Sequence, residues 1–164
     1  MIKLNVSQSF ADKGHFSISA GYKSAEIIIN HPSFLEKLIK KTRLTYTDDS
    51  IEEVCAVIRN ITQPGVTCTI NVEPYYYKNS SVIGMTKGSG TIYVNLNGSR
   101  NRSTVDYLRN ALHELGHFPF GYRHGNNFPN GWRARLLGDL ADKNFSVPYI
   151  LEEVGVEVFS EIFP

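Results

Sequence analysis

The spacing of apolar residues changes from a helical to an alternating pattern along the chain, which limits the fold to one that combines helices with a sheet. In residues 34–41, FLEKLIKK, the apolar positions fit one face of a helix. In residues 66–72, VTCTINV, they alternate with threonine and asparagine, as in a strand with one buried face. Because both patterns occur in a chain of 164 residues, we predict an α+β fold in a single domain spanning residues 1–164.

Further strands and a second helix are predicted in the first 65 residues of the chain. Strand-like segments lie at residues 2–6, IKLNV, and at residues 25–30, AEIIIN. Ser50 and Glu53 have the spacing of a capping box, so we predict a second helix that begins there and ends before the Pro-Gly pair at residues 64–65.

A hairpin is predicted in the middle of the chain. Its strands are SVIGM, residues 81–85, and TIYVNL, residues 91–96, and the turn-rich segment KGSG joins them. Together with the alternating segment at residues 66–72, these strands predict a small mixed or antiparallel sheet that packs on helices.

Composition and charge exclude several classes of protein. The chain is 41% hydrophobic and 20% charged, as is typical of globular proteins. Its net charge of +1 lacks the strong positive charge that is typical of nucleic-acid-binding proteins. No secretory signal pattern opens the chain, and no apolar run is long enough to span a membrane. We expect a soluble, cytoplasmic monomer without nucleic-acid or membrane partners.

The two cysteines, Cys55 and Cys68, lie on predicted apolar faces, which favours buried free thiols. A disulfide between them is the alternative that the sequence leaves open.

A later helix carries the residues with the most specific chemistry. It is predicted to begin at Ser103 or Thr104, whose hydroxyls accept hydrogen bonds from first-turn amides. Its apolar stripe consists of Val105, Leu108, Leu112 and Leu115. His113 and His117 lie outside that stripe on a neighbouring face, whereas a histidine of the core would lie within it.

The two histidines are four residues apart, and Glu114 follows the first. Side chains four apart on a helix have Cβ atoms about 5–6 Å from each other, so both imidazoles can bind one metal ion. Glu114 is turned by about 100° from His113 and can stand beside the metal without binding it. This is the position of a general base that takes a proton from zinc-bound water. We predict a zinc site with its own base.

A third ligand is expected after the helix ends. Phe118-Pro119 does not continue a helix comfortably, and Gly121 allows the chain to turn back, which returns His124 towards the metal. Four other candidates stay open as third ligand: Glu152, Glu153, Asp139 and Asp142. His124 is preferred because it needs only a short turn, and the two glutamates are expected at the solvated edge of a last helix.

The segment HELGHFPFGYRH, residues 113–124, resembles the zinc-binding motif of the metzincin metallopeptidases, HExxHxxGxxH. Residues 75–149 also resemble small bacterial and phage zincin-like proteins. The resemblance implies a zincin-like fold, a Zn²⁺ cofactor held by the three histidines of this segment, and Glu114 as the catalytic base. It also implies that an extended peptide pairs with the strand TIYVNL.

The segment departs from the metzincin pattern in two ways. Six residues separate His117 from His124 where the family has five, and a bulge near Pro119 would absorb the extra residue. No methionine follows residue 85, and residues 146–149 resemble the family's methionine turn with Val147 in the methionine position. By the same resemblance, the Tyr149 hydroxyl would hydrogen-bond the developing oxyanion.

These features favour a zinc-dependent peptidase that acts on peptide or protein substrates. One alternative is a zinc-stabilised interaction module without turnover, which the extra residue before His124 supports. The other is a three-histidine endoribonuclease. That class lacks the glutamate after its first histidine and is expected to carry more basic surface than a net charge of +1.

Overall fold

The computed structural model describes residues 1–45, 59, 63, 65, 67–87, 90–117 and 147–164, and for residues 42, 44, 45, 117 and 147–150 it describes the backbone alone. The strands are β1 Ile2–Val6, β2 Cys68–Tyr75, β3 Gly84–Lys87 and β4 Thr91–Asn95. The helices are α1 Ser9–Asp12, α2 Phe16–Ile29, α3 Pro32–Thr45, α4 Thr104–His117 and α5 Val147–Ile162. A 3-10 turn, Ser99–Asn101, precedes α4.

The four described strands form one mixed sheet in the order β1-β2-β4-β3. β1 is parallel to β2 and β2 is parallel to β4, whereas β3 is antiparallel to β4 with Gly84 opposite Val94. The predictions of an α+β fold and of a small mixed sheet are therefore confirmed. The predicted hairpin is present as β3 and β4, but its first strand begins at Gly84, and residues 81–83 of the predicted strand lie outside it. In this part of the chain β3 forms one edge of the sheet and β4 lies inside it.

One face of the sheet packs against the helices. Its buried apolar residues alternate with polar or half-buried neighbours, and they are Ile2 and Leu4 of β1, Ile70 and Val72 of β2, and Ile92 and Val94 of β4. The helices contribute, among others, Tyr22, Ile28, Leu108, Leu112, Leu151 and Val154 to the same core. Burying an apolar side chain of this size stabilises a fold by about 1.5–3 kcal/mol, so this cluster holds α4 and α5 against the sheet.

Two glycines allow the helices to approach closely. A Cβ atom on Gly21 of α2 would lie 2.5 Å from Cβ of Tyr107, and one on Gly155 of α5 would lie 2.0 Å from Cδ1 of Leu112. Because real Cβ atoms do not approach other atoms so closely, α2 lies at a distance from α4 that only glycine permits at position 21, and a larger residue at position 155 of α5 would force the Leu112 side chain to move. This packing brings one face of α5 against the motif helix.

The other predicted elements have different outcomes. The strand at residues 2–6, the helix over residues 34–41 and the alternating strand are confirmed as β1, part of α3 and β2. The strand predicted at residues 25–30 is wrong, because these residues form the end of α2. Tyr22, Ala25 and Ile29 follow the helical period and are buried, while Ile27 is 52% exposed. Residues 50–58 of the second predicted helix lie outside the described residues.

Cys68 of β2 is a free, partly buried thiol, and burial raises its pKa. Cys55 lies outside the described residues.

Among the described helices, none combines the length and the apolar character needed to cross a bilayer.

Candidate functional site

The motif helix α4 begins as its sequence predicts. The Ser103 hydroxyl accepts a hydrogen bond from the Asp106 amide at 3.2 Å, and the Ser103 amide donates to Oδ2 of Asp106 at 2.7 Å. This reciprocal pair satisfies two backbone donors at the helix start, and the Asp106 carboxylate lies favourably against the helix dipole. The apolar stripe is confirmed at Leu108, Leu112 and Leu115, while Val105 is half-buried.

Glu114 is buried between α4 and the edge strand β3, with only 4% of its surface exposed. The Thr86 hydroxyl donates a hydrogen bond of 2.5 Å to Oε2 of Glu114 and lies 3.3 Å from the Glu114 backbone carbonyl. A buried carboxylate needs such a donor, because burying a charged group without a partner costs on the order of several kcal/mol. Thr86 therefore helps to orient the Glu114 carboxylate.

A second polar side chain lies one helical turn before Glu114. Asn110 is 7% exposed, and its Oδ1 accepts a hydrogen bond of 2.6 Å from the Tyr22 hydroxyl of α2. Burial raises the pKa of Tyr22 well above its usual value, and the nearby Glu114 carboxylate and Tyr107 raise it further. Tyr22 therefore stays protonated and remains a donor to Asn110.

A cleft of about 480 Å³ opens beside these side chains. It is lined by Val82, Ile83 and Gly84 around β3, by Arg102, by Asp106, Arg109, Asn110, His113 and Glu114 of α4, and by Glu152 of α5. The cleft thus brings the first histidine of the motif, the predicted base and one carboxylate from the last helix together in one concave site. Concave sites with convergent polar groups are the usual places for ligand binding.

Glu152 corrects one prediction from the sequence. Residues 152 and 153 were both expected at a solvated helix edge, and this is right for Glu153, which is exposed and forms an ion pair with Lys41 of α3. Glu152 is half-buried and lines the cleft, because Gly155, three residues further on, presses this face of α5 against α4.

The surroundings of Glu152 also change its proton affinity. Burial raises its pKa to about 7, with the Arg109 guanidinium opposing and the Glu153 carboxylate adding to that shift. A carboxylate with a raised pKa in a cleft is a candidate functional group, whether as a metal ligand or as a proton donor and acceptor.

The remaining predicted site residues are only partly described. The backbone of His117 belongs to the last turn of α4 and that of Tyr149 to the first turn of α5, and nothing is described of either side chain. His124, Asp139 and Asp142 lie outside the described residues. Among the side chains that are described, no group of three or more histidine, cysteine, aspartate or glutamate residues converges as a metal site.

The donor set in the cleft suits the predicted metal. His113 offers an imidazole nitrogen, and Glu152 offers a carboxylate from the facing helix. Nitrogen and oxygen donors of these two types are ordinary zinc ligands, and His117 follows His113 by one helical turn on α4. These donor types suit a zinc ion, but the described side chains alone do not bring three of them together.

Sequence reasoning did not single out Asn110 or Thr86. Asn110 could have been found from its spacing, because it precedes His113 by three residues and Glu114 by four and must share their side of the helix. Thr86 carries no such signal, since its contact with Glu114 depends on how the sheet packs on α4.

The predicted substrate strand needs correction. TIYVNL was expected to pair with an extended peptide, but its strand β4 is already paired with β2 on one side and with β3 on the other. A strand flanked on both sides has no unsatisfied backbone groups to offer. Among the described strands next to the cleft, β3 is the one at the sheet edge.

Comparison of the chain with protein-family models, with curated protein sequences and with solved structures yields no significant match.

Proposed function

We propose that this protein is a zincin-like, zinc-dependent metallopeptidase that hydrolyses peptide bonds. The observation that carries the proposal is that His113 and Glu114, the proposed metal ligand and the proposed base, are neighbours on one helix and line the same cleft. The metzincin-like segment at residues 113–124 supports the same function. A lone HExxH pattern would support it less, because short patterns also occur by chance.

In this proposal His113 and His117 bind zinc from α4, and His124 completes the site. Glu152 is the alternative third ligand, and its place in the cleft favours it over Glu153, the other acidic candidate on the last helix. Glu153 is disfavoured because its carboxylate forms an ion pair with Lys41. A bound zinc ion supplies Lewis-acid chemistry, which lowers the pKa of its water towards about 7 and polarises a carbonyl group.

Glu114 is the general base of the proposed reaction. It takes a proton from the attacking water and passes it to the leaving amine, which requires a carboxylate held within hydrogen-bond reach of both. The hydrogen bond from Thr86 supplies that positioning. The role of Tyr149 in binding the oxyanion stays a prediction that rests on the resemblance alone.

An extended substrate is expected to pair with β3. This strand borders the cleft, and the backbone groups on its outer side have no strand partner within the described part of the chain. Peptides commonly bind to such edges by adding a strand. The carbonyl of a peptide laid along β3 would then face α4 and the His113-Glu114 pair.

The test is the substitution Glu114→Gln, which keeps the size of the side chain and removes the base. We expect the variant to bind zinc like the unchanged protein and to lose casein hydrolysis, measured with and without a chelator. Glu153→Gln serves as the matched control, because it removes a glutamate outside the cleft. Full casein turnover by Glu114→Gln would exclude the proposed mechanism.

The third ligand is tested by zinc affinity. His124→Ala and Glu152→Gln are compared by titration with a competing chelator, again with Glu153→Gln as control. The variant that loses affinity identifies the ligand, since losing one of three protein ligands weakens zinc binding strongly. If neither substitution changes the affinity, the proposed three-ligand site is wrong.

A non-catalytic zinc-binding module is the second candidate. It is favoured by the depth at which Glu114 is buried and by its short bond to Thr86, both of which suit a structural carboxylate. Zinc binding without hydrolysis of casein, together with a large loss of thermal stability after chelation, would select this function. The same incubations with structured RNA test the endoribonuclease alternative.

A further inference from the structure

Asn110 presents an unused hydrogen-bond donor in the cleft. The side chain is 7% exposed and lines the cleft beside His113 and Glu114. Its Oδ1 is occupied by the Tyr22 hydroxyl at 2.6 Å, and because Tyr22 stays protonated this bond sets the orientation of the amide. The amide nitrogen Nδ2 has no hydrogen-bond partner within the described part of the chain. Nδ2 is not fully enclosed by the described residues, so it can be reached from the cleft and can donate to an acceptor atom of a ligand.

The neighbouring strand leaves room for this amide. A Cβ atom on Gly84 of β3 would lie 2.8 Å from Oδ1 and 3.1 Å from Nδ2 of Asn110, so a larger residue there would displace the amide from its present position against the strand. Thr86 lies two residues further along β3 on the same face, and its hydroxyl bonds Glu114. Asn110 and Glu114 are four residues apart on α4, with Cβ atoms about 5–6 Å from each other. The donor therefore lies one helical turn from the proposed base.

The charges of the cleft indicate which acceptor this donor takes. Two cationic side chains line it, Arg102 and Arg109, together with three acidic ones, Asp106, Glu114 and Glu152. This excess of acidic groups does not favour a carboxylate from a ligand, because the like charges would repel each other. A neutral oxygen acceptor avoids that repulsion, and the carbonyl oxygen of an amide group is the strongest acceptor of this kind in a peptide.

We propose that Asn110 is a ligand-binding residue whose side-chain amide donates a hydrogen bond to an amide carbonyl oxygen of a bound peptide. The identity of the ligand as a peptide rests on the proposed function, while the donor itself rests on the geometry of Asn110, Tyr22 and Gly84. The bond places a peptide carbonyl next to Glu114. Asn110 then selects ligands with an amide carbonyl at this position over ligands with a carboxylate.

The experiment is an NMR titration of the zinc-free protein with acetyl-trialanine amide. We expect the two side-chain amide signals of Asn110 to shift with the peptide, and acetate to shift them less. Asn110→Leu should weaken peptide binding about three- to tenfold, as expected for one neutral hydrogen bond. Tyr22→Phe should weaken it less, because the amide is still present but no longer oriented. Asn97→Leu is the control, since Asn97 bonds the carbonyls of Tyr77 and Lys78 away from the cleft.

Each outcome decides the proposal. Shifts of the Asn110 amide signals in the unchanged protein support it even if Asn110→Leu does not fold. Unmoved Asn110 signals, unchanged affinity in a folded Asn110→Leu, or a larger shift with acetate than with the peptide would overturn it. The titration involves no zinc and no turnover, so an inactive protein that still binds through Asn110 would reject only the proposed function.

Discussion

Replacing Thr86 with valine tests whether the edge strand holds the Glu114 carboxylate. Valine keeps the shape of threonine and removes the hydroxyl that donates to Oε2 at 2.5 Å. Glu114 is 4% exposed, so water does not easily replace the lost donor. A hydrogen bond to a charged group contributes about 1.5–3 kcal/mol, and we expect the free energy of unfolding to fall by that amount.

The magnitude can be measured in two ways. For a chain of this length, about 1 kcal/mol corresponds to about 2–4 °C in melting temperature, so Thr86→Val should melt about 3–12 °C lower than the unchanged protein. Urea denaturation of the metal-free protein at neutral pH gives the free energy directly. Thr86→Ser, which keeps a hydroxyl, should recover most of the stability.

A double-mutant cycle with Glu114→Gln isolates the contact itself. If Thr86 acts through Glu114, the two substitutions together should cost less than the sum of their separate effects, with a coupling energy of about 1–3 kcal/mol. Thr69→Val is the matched control, because Thr69 is an exposed threonine on β2. A coupling energy near zero, or an equal loss of stability in Thr69→Val, would refute the assignment of Thr86 as the residue that holds Glu114.

Two further predictions concern the last helix. Gly155→Ala should destabilise the protein by about 1–3 kcal/mol by overpacking, because the new Cβ would lie 2.0 Å from Cδ1 of the buried Leu112 and force that side chain to move. Urea unfolding measures this loss, and an unchanged midpoint would contradict the close packing of Leu112 on Gly155. Since the pKa of Glu152 is raised from 4.5 to about 7, the folded protein binds this proton more tightly than the unfolded chain does, so its contribution to stability is present below pH 4.5 and is lost as the pH rises to about 7. Glu152→Gln should flatten that decline in pH-dependent unfolding of the metal-free protein, whereas Glu153→Gln should leave it in place.

The elements with strong local signals were predicted correctly. β2 alternates apolar and polar residues over its length, and α4 has both a capping box and a 3.6-residue apolar stripe. The segment AEIIIN misled the prediction because its β-branched residues favour a strand, while its place in the longer period of α2 favours a helix. Tertiary packing of Tyr22, Ala25 and Ile29 decided in favour of the helix.

The candidate site was also predictable from the sequence only in part. The spacing of His113, Glu114 and His117 on one helix follows from the sequence, because residues three and four apart on a helix share a face. The different environments of Glu152 and Glu153 do not follow from it. Adjacent residues on a helix point about 100° apart, and which of the two turns towards α4 depends on the rotation of α5 about its axis.

The sequence by itself determined the local features of this protein: the strand and helix periods, the cap of α4 and the proximity of a histidine to a glutamate along that helix. Only the tertiary structure decided that Thr86 bonds Glu114, that Tyr22 orients Asn110 and that Glu152 enters the same cleft. The physical reason is the distance along the chain over which each interaction acts. Backbone periodicity acts over a few residues, whereas these contacts join residues between 28 and 88 positions apart in the chain, and close packing at Gly84 and Gly155 brings the elements together.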